Sequence, residues 1–235
     1  MSWSVRRIGK IKELNGAQSY LEIGVYSGQT FLNVDLAQKD AVDPKFRFDV
    51  DDYKSETVRF FQMTSDEFWA TAPALAHYDI IMIDGLHTFE KAFRDFVCSL
   101  SHSSEHTVWL IDDTVPSDVF SAYPDQARSY AERQRMGKQD FPWHGDVFKL
   151  VLALHDFFPT VNYATIVNSG NPQTLAWYGQ RAGFAPILNN LEAISRLTFF
   201  DLEGLQRAFN FAEEEPAFER LAEAGRGAGW IRSRL

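Results

Sequence analysis

The chain has almost no cysteine. Cys98 is the only one among 235 residues, so no intrachain disulfide framework can form, and a reducing compartment is compatible with the sequence. Basic residues are in deficit too, with 23 Lys and Arg against 32 Asp and Glu and a formal charge of −9. Nonspecific binding to nucleic-acid backbones requires clustered Lys and Arg, so this balance argues against it, though a local basic pocket is still allowed. No apolar leader stands in Met1 to Lys12, and no run approaches the length of a membrane span. The expectation is a cytoplasmic protein with neither a nucleic-acid nor a membrane partner. Repeats and low-complexity segments are absent as well.

What is present is a hydrophobic content of 45%, enough for one globular domain spanning 1–235 with a substantial core. Three phrases stand out: Tyr20-Leu-Glu-Ile-Gly-Val-Tyr-Ser-Gly28, Ile81-Met-Ile-Asp-Gly-Leu-His87 and Leu110-Ile-Asp-Asp-Thr-Val115. Each is an apolar, strand-like run that ends in polar residues or glycine. In open α/β sheets, ligands bind beyond the carboxyl ends of such strands.

Strand-like runs recur at Tyr20–Val25, Asp40–Asp43, Val58–Met63, Tyr78–Ile83 and His106–Ile111. Short helices are expected from Thr30 to Leu36 and from Glu67 to Ala70, the latter capped from Thr64-Ser-Asp66. Phe89, Ala92, Phe93, Phe96, Val97 and Leu100 follow helical spacing and leave Glu90, Lys91, Arg94 and Asp95 to water. A second such helix carries Val147, Leu150, Val151, Leu154 and Phe158. Two further runs, Val161–Val167 and Thr174–Tyr178, flank Asn168-Ser-Gly-Asn-Pro172, a hairpin signature. The pattern predicts an α/β fold of five β-α units, a mostly parallel sheet with an antiparallel C-terminal hairpin, and helices on both faces. Residues 116–143 are polar and mixed in charge, and read equally as a lid over a site or as a helical surface excursion. The tail 188–235, largely helical in pattern and rich in Arg near its end, has three candidate uses: packing on the domain, covering the site, or forming a homodimer contact.

The turn after the first strand is the candidate nucleoside site. Gly24 and Gly28 bracket a turn where backbone can approach a ligand closely, with Tyr26 and Ser27 between them. The turn is not Gly-x-Gly-x-x-Gly, which argues against a nicotinamide dinucleotide. Glu22 in the strand end would repel a pyrophosphate and suits the ammonium of an amino-acid moiety. Asp43 follows at the distance where an acid meets ribose hydroxyls, and Ser65 and Asp66 would meet an adenine amino group. Asp84, Asp112 and Asp113 arrive from two later strand ends, and three converging carboxylates call for a divalent ion such as Mg²⁺. The plainer alternative makes these aspartates turn or cap residues. His87 would then only orient the helix after it. His144 and Asp146 read as structural at a helix start, and Asp49, Asp51 and Asp52 as a solvated turn.

Over residues 18 to 180 or so the chain resembles the class I S-adenosylmethionine-dependent methyltransferases. Leu21 to Gly28 resembles their first motif and Asp43 their ribose-binding acid, and the strand series resembles their seven-stranded, Rossmann-like sheet. The aspartates resemble those of the cation-dependent small-molecule O-methyltransferases of the catechol type, with Asp113 standing at that group's amide position and His87 at its lysine base. Asp-Gly-x-His is similar to sugar O-methyltransferases that use a histidine base, and Trp143-His-Gly-Asp-Val-Phe-Lys149 to a broad bacterial group. The resemblance implies S-adenosyl-L-methionine bound by Glu22, Gly24, Tyr26, Ser27, Gly28, Asp43, Ser65, Asp66 and Asp84. It further implies Mg²⁺ or a similar cation on Asp84, Asp112 and Asp113, with His87 as general base toward a small hydroxylated substrate, a sugar or natural-product intermediate. No Asn-Pro-Pro-Tyr phrase for amino-group methylation occurs. The contrasting possibility is a noncatalytic S-adenosylmethionine-binding scaffold of the same fold.

Overall fold

The computed structural model describes residues 2–71, 77–227 and 229. Eight strands form one sheet in the order β3-β2-β1-β4-β5-β7-β6-β8. The strands β1 (Ser19–Ile23), β2 (Gln38–Val42), β3 (Val58–Phe61), β4 (Ile80–Ile83) and β5 (Val108–Ile111) run parallel. The hairpin of β6 (Val161–Ile166) and β7 (Gln173–Tyr178) sets β7 antiparallel against β5. A two-residue strand, β8 (Phe211–Ala212), adds parallel to β6 and extends the expected seven strands to eight.

Alternation along the strands divides the core in two. Ile80 and Met82 face the helices α1 (Trp3–Asn15) and α8 (Glu214–Gly227), among Val5, Ile8, Ile11, Phe218 and Leu221. Ile81 and Ile83 face α2 (Ser65–Thr71), α3 (Phe89–Ser99) and α5 (Phe148–Phe157), among Phe68, Phe96, Leu150 and Leu154. Strands buried on both faces read as continuous apolar runs, which is why they were visible in the sequence. Between β1 and β4 the strand order reverses, and a cleft opens at their carboxyl ends.

Several expectations need correction. The helix expected from Thr30 to Leu36 is only a 3₁₀ turn, Phe31–Asn33. Lys39 Nζ donates to the carbonyls of Phe31 and Val34 at 2.9 and 3.0 Å, and Val34 is already extended, so the turn cannot propagate. The β2–β3 link likewise holds only a 3₁₀ turn, Val50–Asp52, so the five regular β-α units reduce to fewer. The helix α1 was not anticipated; Ser2 caps it and the left-handed Gly16 ends it. In α3, Asp95 is not solvated but 1% exposed, with Trp69 Nε1 donating to it at 2.8 Å, while Val97 is 40% exposed. The α2 cap is a reciprocal pair between Thr64 and Glu67.

Residues 116–143 contain the helix α4 (Gln126–Arg135). Its Arg133, 1% exposed, places Nη2 at 2.8 Å from both carboxylate oxygens of Asp118. A buried guanidinium bound this way holds the segment in a fixed shape. The tail forms α6 (Leu191–Arg196), α7 (Leu202–Leu205) and α8, interrupted by β8; its last arginines, Arg232 and Arg234, lie outside the described residues. No described helix is long and apolar enough to cross a membrane.

Arg7 joins the two ends of the chain. Fully buried, it reaches Glu214 of α8 at 3.2 Å, the Asn171 carbonyl at 2.8 Å and Gln173 Oε1 at 2.6 Å. Removing one partner of a buried charged network leaves the others unsatisfied, at a cost of about 3–5 kcal/mol. Arg7→Met is expected to lose stability on that order in urea unfolding; a loss under about 1 kcal/mol would show that Arg6 and Lys10 carry Glu214 without it.

Candidate active site

A cavity of about 840 Å³ opens where β1 and β4 diverge. Of the residues expected to hold the cofactor, Glu22, Gly24, Tyr26, Ser27, Asp43, Ser65, Asp66 and Asp84 line it. Gly28 does not. It closes the turn from behind, donating its N–H to Val25 at 2.8 Å, and a side chain there would strike Leu32 and Phe48. Gly24, at φ +88°, passes so near β4 that a Cβ would lie 1.9 Å from the Asp84 carbonyl. Only glycine allows this approach.

The acidic groups around the turn already have work within the protein. Asp43 accepts the N–H groups of Val25 and Tyr26 at 2.9 and 2.8 Å and of Lys45 at 2.7 Å, fixing the glycine turn. Asp66 pairs with Lys91 and Arg94 of α3. Glu22 is 2% exposed and accepts the Tyr20 hydroxyl at 2.5 Å. Burial pushes its carboxyl up to about 8, against the opposing pull of Tyr20 and Lys39.

Three side chains from two segments, the turn after β4 and the turn after β5, meet beside the cavity. Asp84, His87 and Asp113 bring one donor atom each within 4.8 Å of one another. His87 Nδ1 stands 2.8 Å from Asp113 Oδ2 and 2.8 Å from the Trp143 carbonyl, and Nε2 stands 3.6 Å from Asp84 Oδ1. Asp113 is left-handed at φ 58°, a conformation that Asp and Asn tolerate better than other side chains. Asp112 turns the other way: its Oδ1 accepts from the Asp113 N–H and from the side-chain amide of Asn171. The trio that converges thus contains His87, while Asp112 stands behind it.

Crowding shifts the protonation of these groups. Burial, then Asp112, Asp113 and Glu22, push the Asp84 carboxyl well above the usual range. Burial and Asp113 raise Asp112 to about 7. For His87 burial pulls downward, yet the hydrogen bond and charge of Asp113, with the Trp143 carbonyl, outweigh it and raise its pKa. A second imidazole, His144, places Nε2 3.9 Å from Asp113, and its burial holds it below the ordinary histidine value.

Part of the cavity wall was not evident beforehand. Gln126 and Tyr130, one turn apart on α4, line it together with Trp143. Their i, i+4 spacing was a readable signal only once the segment was known to be helical. Arg47 and Lys91 also line it. Residues 116–143 therefore form a wall of the cleft as well as a surface excursion.

Residues 21–114 match the family model of a methyltransferase domain. This stretch of the chain is similar to a methyltransferase domain. That span begins in β1 and ends just after β5, enclosing the glycine turn, Asp84, His87 and both β5 aspartates. Solved structures extend the likeness in fold. An O-methyltransferase of Streptomyces achromogenes from tomaymycin synthesis, in complex with S-adenosylmethionine, superposes with a TM-score of 0.51 at 14% identity, over 74% of this chain and 79% of that one. A Podospora anserina methyltransferase bound to S-adenosylhomocysteine gives 0.53 at 15% identity, over 76% and 77%. No curated protein matches the chain. The eight-stranded sheet is thus the Rossmann-like methyltransferase fold.

Glu22 gives this domain a pH signature. Its folded-state pKa of about 8 exceeds the ordinary 4.5, so the folded state holds the proton more tightly and stability falls as pH rises through that window. Glu22→Gln removes this term. Its melting temperature is expected to decline less than that of the parent protein between pH 4.5 and 8; parallel declines would refute the assignment.

Proposed function

We propose that this domain transfers a methyl group from S-adenosyl-L-methionine to an oxygen of a small hydroxylated molecule, a sugar or natural-product intermediate. The observation that carries the reading is an imidazole that lines the cavity near the glycine turn and stands between a half-buried carboxylate, Asp84, and a buried one, Asp113. The S-adenosylmethionine and S-adenosylhomocysteine held by the two similar structures support that cavity as the cofactor's place.

His87 is the general base. Nδ1 faces two acceptors, the Asp113 carboxylate and the Trp143 carbonyl, so Nδ1 carries the proton and Nε2 is the atom that takes one. Asp113 stabilises the imidazolium that results, as the orienting carboxylate of a His–Asp pair does. Glu22 and the turn held by Asp43 shape the amino-acid and ribose end of the cleft, and Ser65 and Asp66 its adenine end.

The carboxylates also fit a divalent cation. Asp84 and Asp113 bring hard oxygen donors together, and burial with the charges of Asp112 and Asp113 raises the Asp84 carboxyl; a dication would relieve the repulsion among them. Asp84 and Asp113 would hold Mg²⁺ or a similar ion, with Asp112 beside them. When bound, the cofactor supplies an electrophilic sulfonium methyl and the cation a Lewis acid that lowers the acceptor hydroxyl's pKa.

Calorimetry with S-adenosylmethionine, then Mg²⁺, then chelator tests the reading, followed by a screen of hydroxylated acceptors scored by S-adenosylhomocysteine release. Asp84→Ala is expected to abolish turnover while leaving cofactor affinity within a few-fold; collapse of cofactor binding instead would remove the metal assignment. Cofactor binding without metal uptake or turnover would favour a scaffold. Because Asp113 raises the His87 pKa, the rising limb of kcat/KM should lie above about pH 6.5, the ordinary histidine value. It should move to lower pH in Asp113→Asn. A limb that stays in place would separate Asp113 from the base.

A further inference from the structure

The geometry points to Trp143 as a positioning residue that fixes the orientation and tautomer of His87, an inference that rests on His87 being the base. Residues 143–146 wrap around residues 87–89. The Trp143 indole stacks on the His87 ring at 4.7 Å between centroids and 17° between planes, and its own carbonyl accepts from Nδ1. Gly145, at φ +59°, passes so close that a Cβ would lie 1.5 Å from the His87 carbonyl. Asp146 then accepts the Phe89 N–H at 2.7 Å, at the start of α3. One short segment thus holds the imidazole face, the Nδ1 proton, the backbone of His87 and the helix that follows it.

The segment is itself anchored. Trp143 Nε1 donates to the Tyr123 carbonyl at 2.7 Å, and the N–H groups of His144 and Gly145 donate to the Ser121 carbonyl at 3.0 and 2.9 Å. Rotation of the His87 ring would break the stack and both Nδ1 contacts together. Asp113 alone offers charge and one acceptor but no surface to stop that rotation. Trp143 supplies the surface, and so keeps Nε2 turned toward Asp84 and the cavity. Trp143-His-Gly-Asp thereby acquires a physical role: the aromatic ring clamps, the glycine allows the approach and the aspartate caps the next helix.

The test uses the full chain, ¹⁵N-labelled at histidine, with S-adenosylhomocysteine present and at a pH where His87 is neutral. With six histidines in the chain, the His87 signals are identified by their loss in His87→Gln. Long-range ¹H–¹⁵N correlation is expected to show a single Nδ1–H tautomer in the parent protein, mixed or exchange-broadened tautomers in Trp143→Leu, and a return to Nδ1–H in Trp143→Phe, which keeps an aromatic face. S-adenosylhomocysteine is kept saturating for each variant, so that all are compared in the bound form. A Nε2–H tautomer in the parent protein would overturn the inference. So would an unchanged Nδ1–H pattern in Trp143→Leu, since Asp113 and the backbone carbonyl of residue 143 would then set the ring without the indole. If Trp143→Leu does not fold, Trp143→Tyr and Trp143→Met make the same aromatic-against-aliphatic comparison. Failure of the parent protein to bind S-adenosylhomocysteine would instead count against the methyltransferase reading, and would leave the tautomer comparison to be judged separately.

Discussion

Four carboxyl groups, Glu22, Asp84, Asp112 and Asp113, are buried or half-buried at one edge of one sheet, and much of the surrounding structure answers to that crowding. Glu22, Asp112 and Asp113 each raise the proton affinity of one or more of the others, on top of what burial imposes. Every neighbour that could offset the charge has been drawn in. Tyr20 and Lys39 serve Glu22, His87 serves Asp113, and Asn171, itself bonded to the buried Arg7, serves Asp112. This last chain ties the N-terminal helix and the hairpin turn to the site. The Arg7 network is therefore also part of what keeps Asp112 in place.

Such crowding requires close approach of backbone, and the unusual torsions lie where the segments converge. Gly24 lets β1 touch β4, and Gly145 lets the Trp143 segment touch His87. Tyr26 and Asp113 are left-handed without being glycine, at φ 47° and 58°. Non-glycine residues in that region are held there by their surroundings at a cost of about 1–3 kcal/mol each. Tyr26 sits on the turn that Asp43 pins, and Asp113 on the turn that presents its carboxylate to His87. Two of the four left-handed non-glycine residues among those described thus sit on turns that shape the cleft, the other two being Asn189 and Asn210.

Much of this was legible in the sequence because the parallel strands are short apolar runs ending in the residues that matter. The glycine turn, Asp43, Asp84, His87 and the β5 aspartates were all visible as strand ends. What was not legible depended on contacts distant in sequence. The direction of the Asp112 carboxylate is set by Asn171, 59 positions away. The helix missing between β1 and β2 is suppressed by Lys39 reaching back to two carbonyls. Asp95 reads as a solvated position by helical spacing, yet Trp69 from a neighbouring helix buries it. Trp143 and Tyr130 belong to a segment whose polar composition left a lid and a surface excursion equally open, and the buried Arg133 guanidinium on Asp118 helps hold it as a wall.

The same crowding bears on the contrast between an enzyme and a scaffold. Buried ionisable groups are often replaceable by apolar residues with no loss of stability, or with a gain. A protein that only bound the cofactor would need the glycine turn, Asp43 and the adenine end of the cleft. It would have no use for an imidazole aligned by a strained aspartate and clamped by an indole. His87 and Trp143 line the same cavity as the β1 turn, and Asp113 reaches it through His87. On the proposed function proton transfer accounts for their arrangement, since it requires one nitrogen to be free, aimed and paired with a charge that stabilises its protonated form. On that same proposal the buried charge is the cost of placing a base beside a binding cleft.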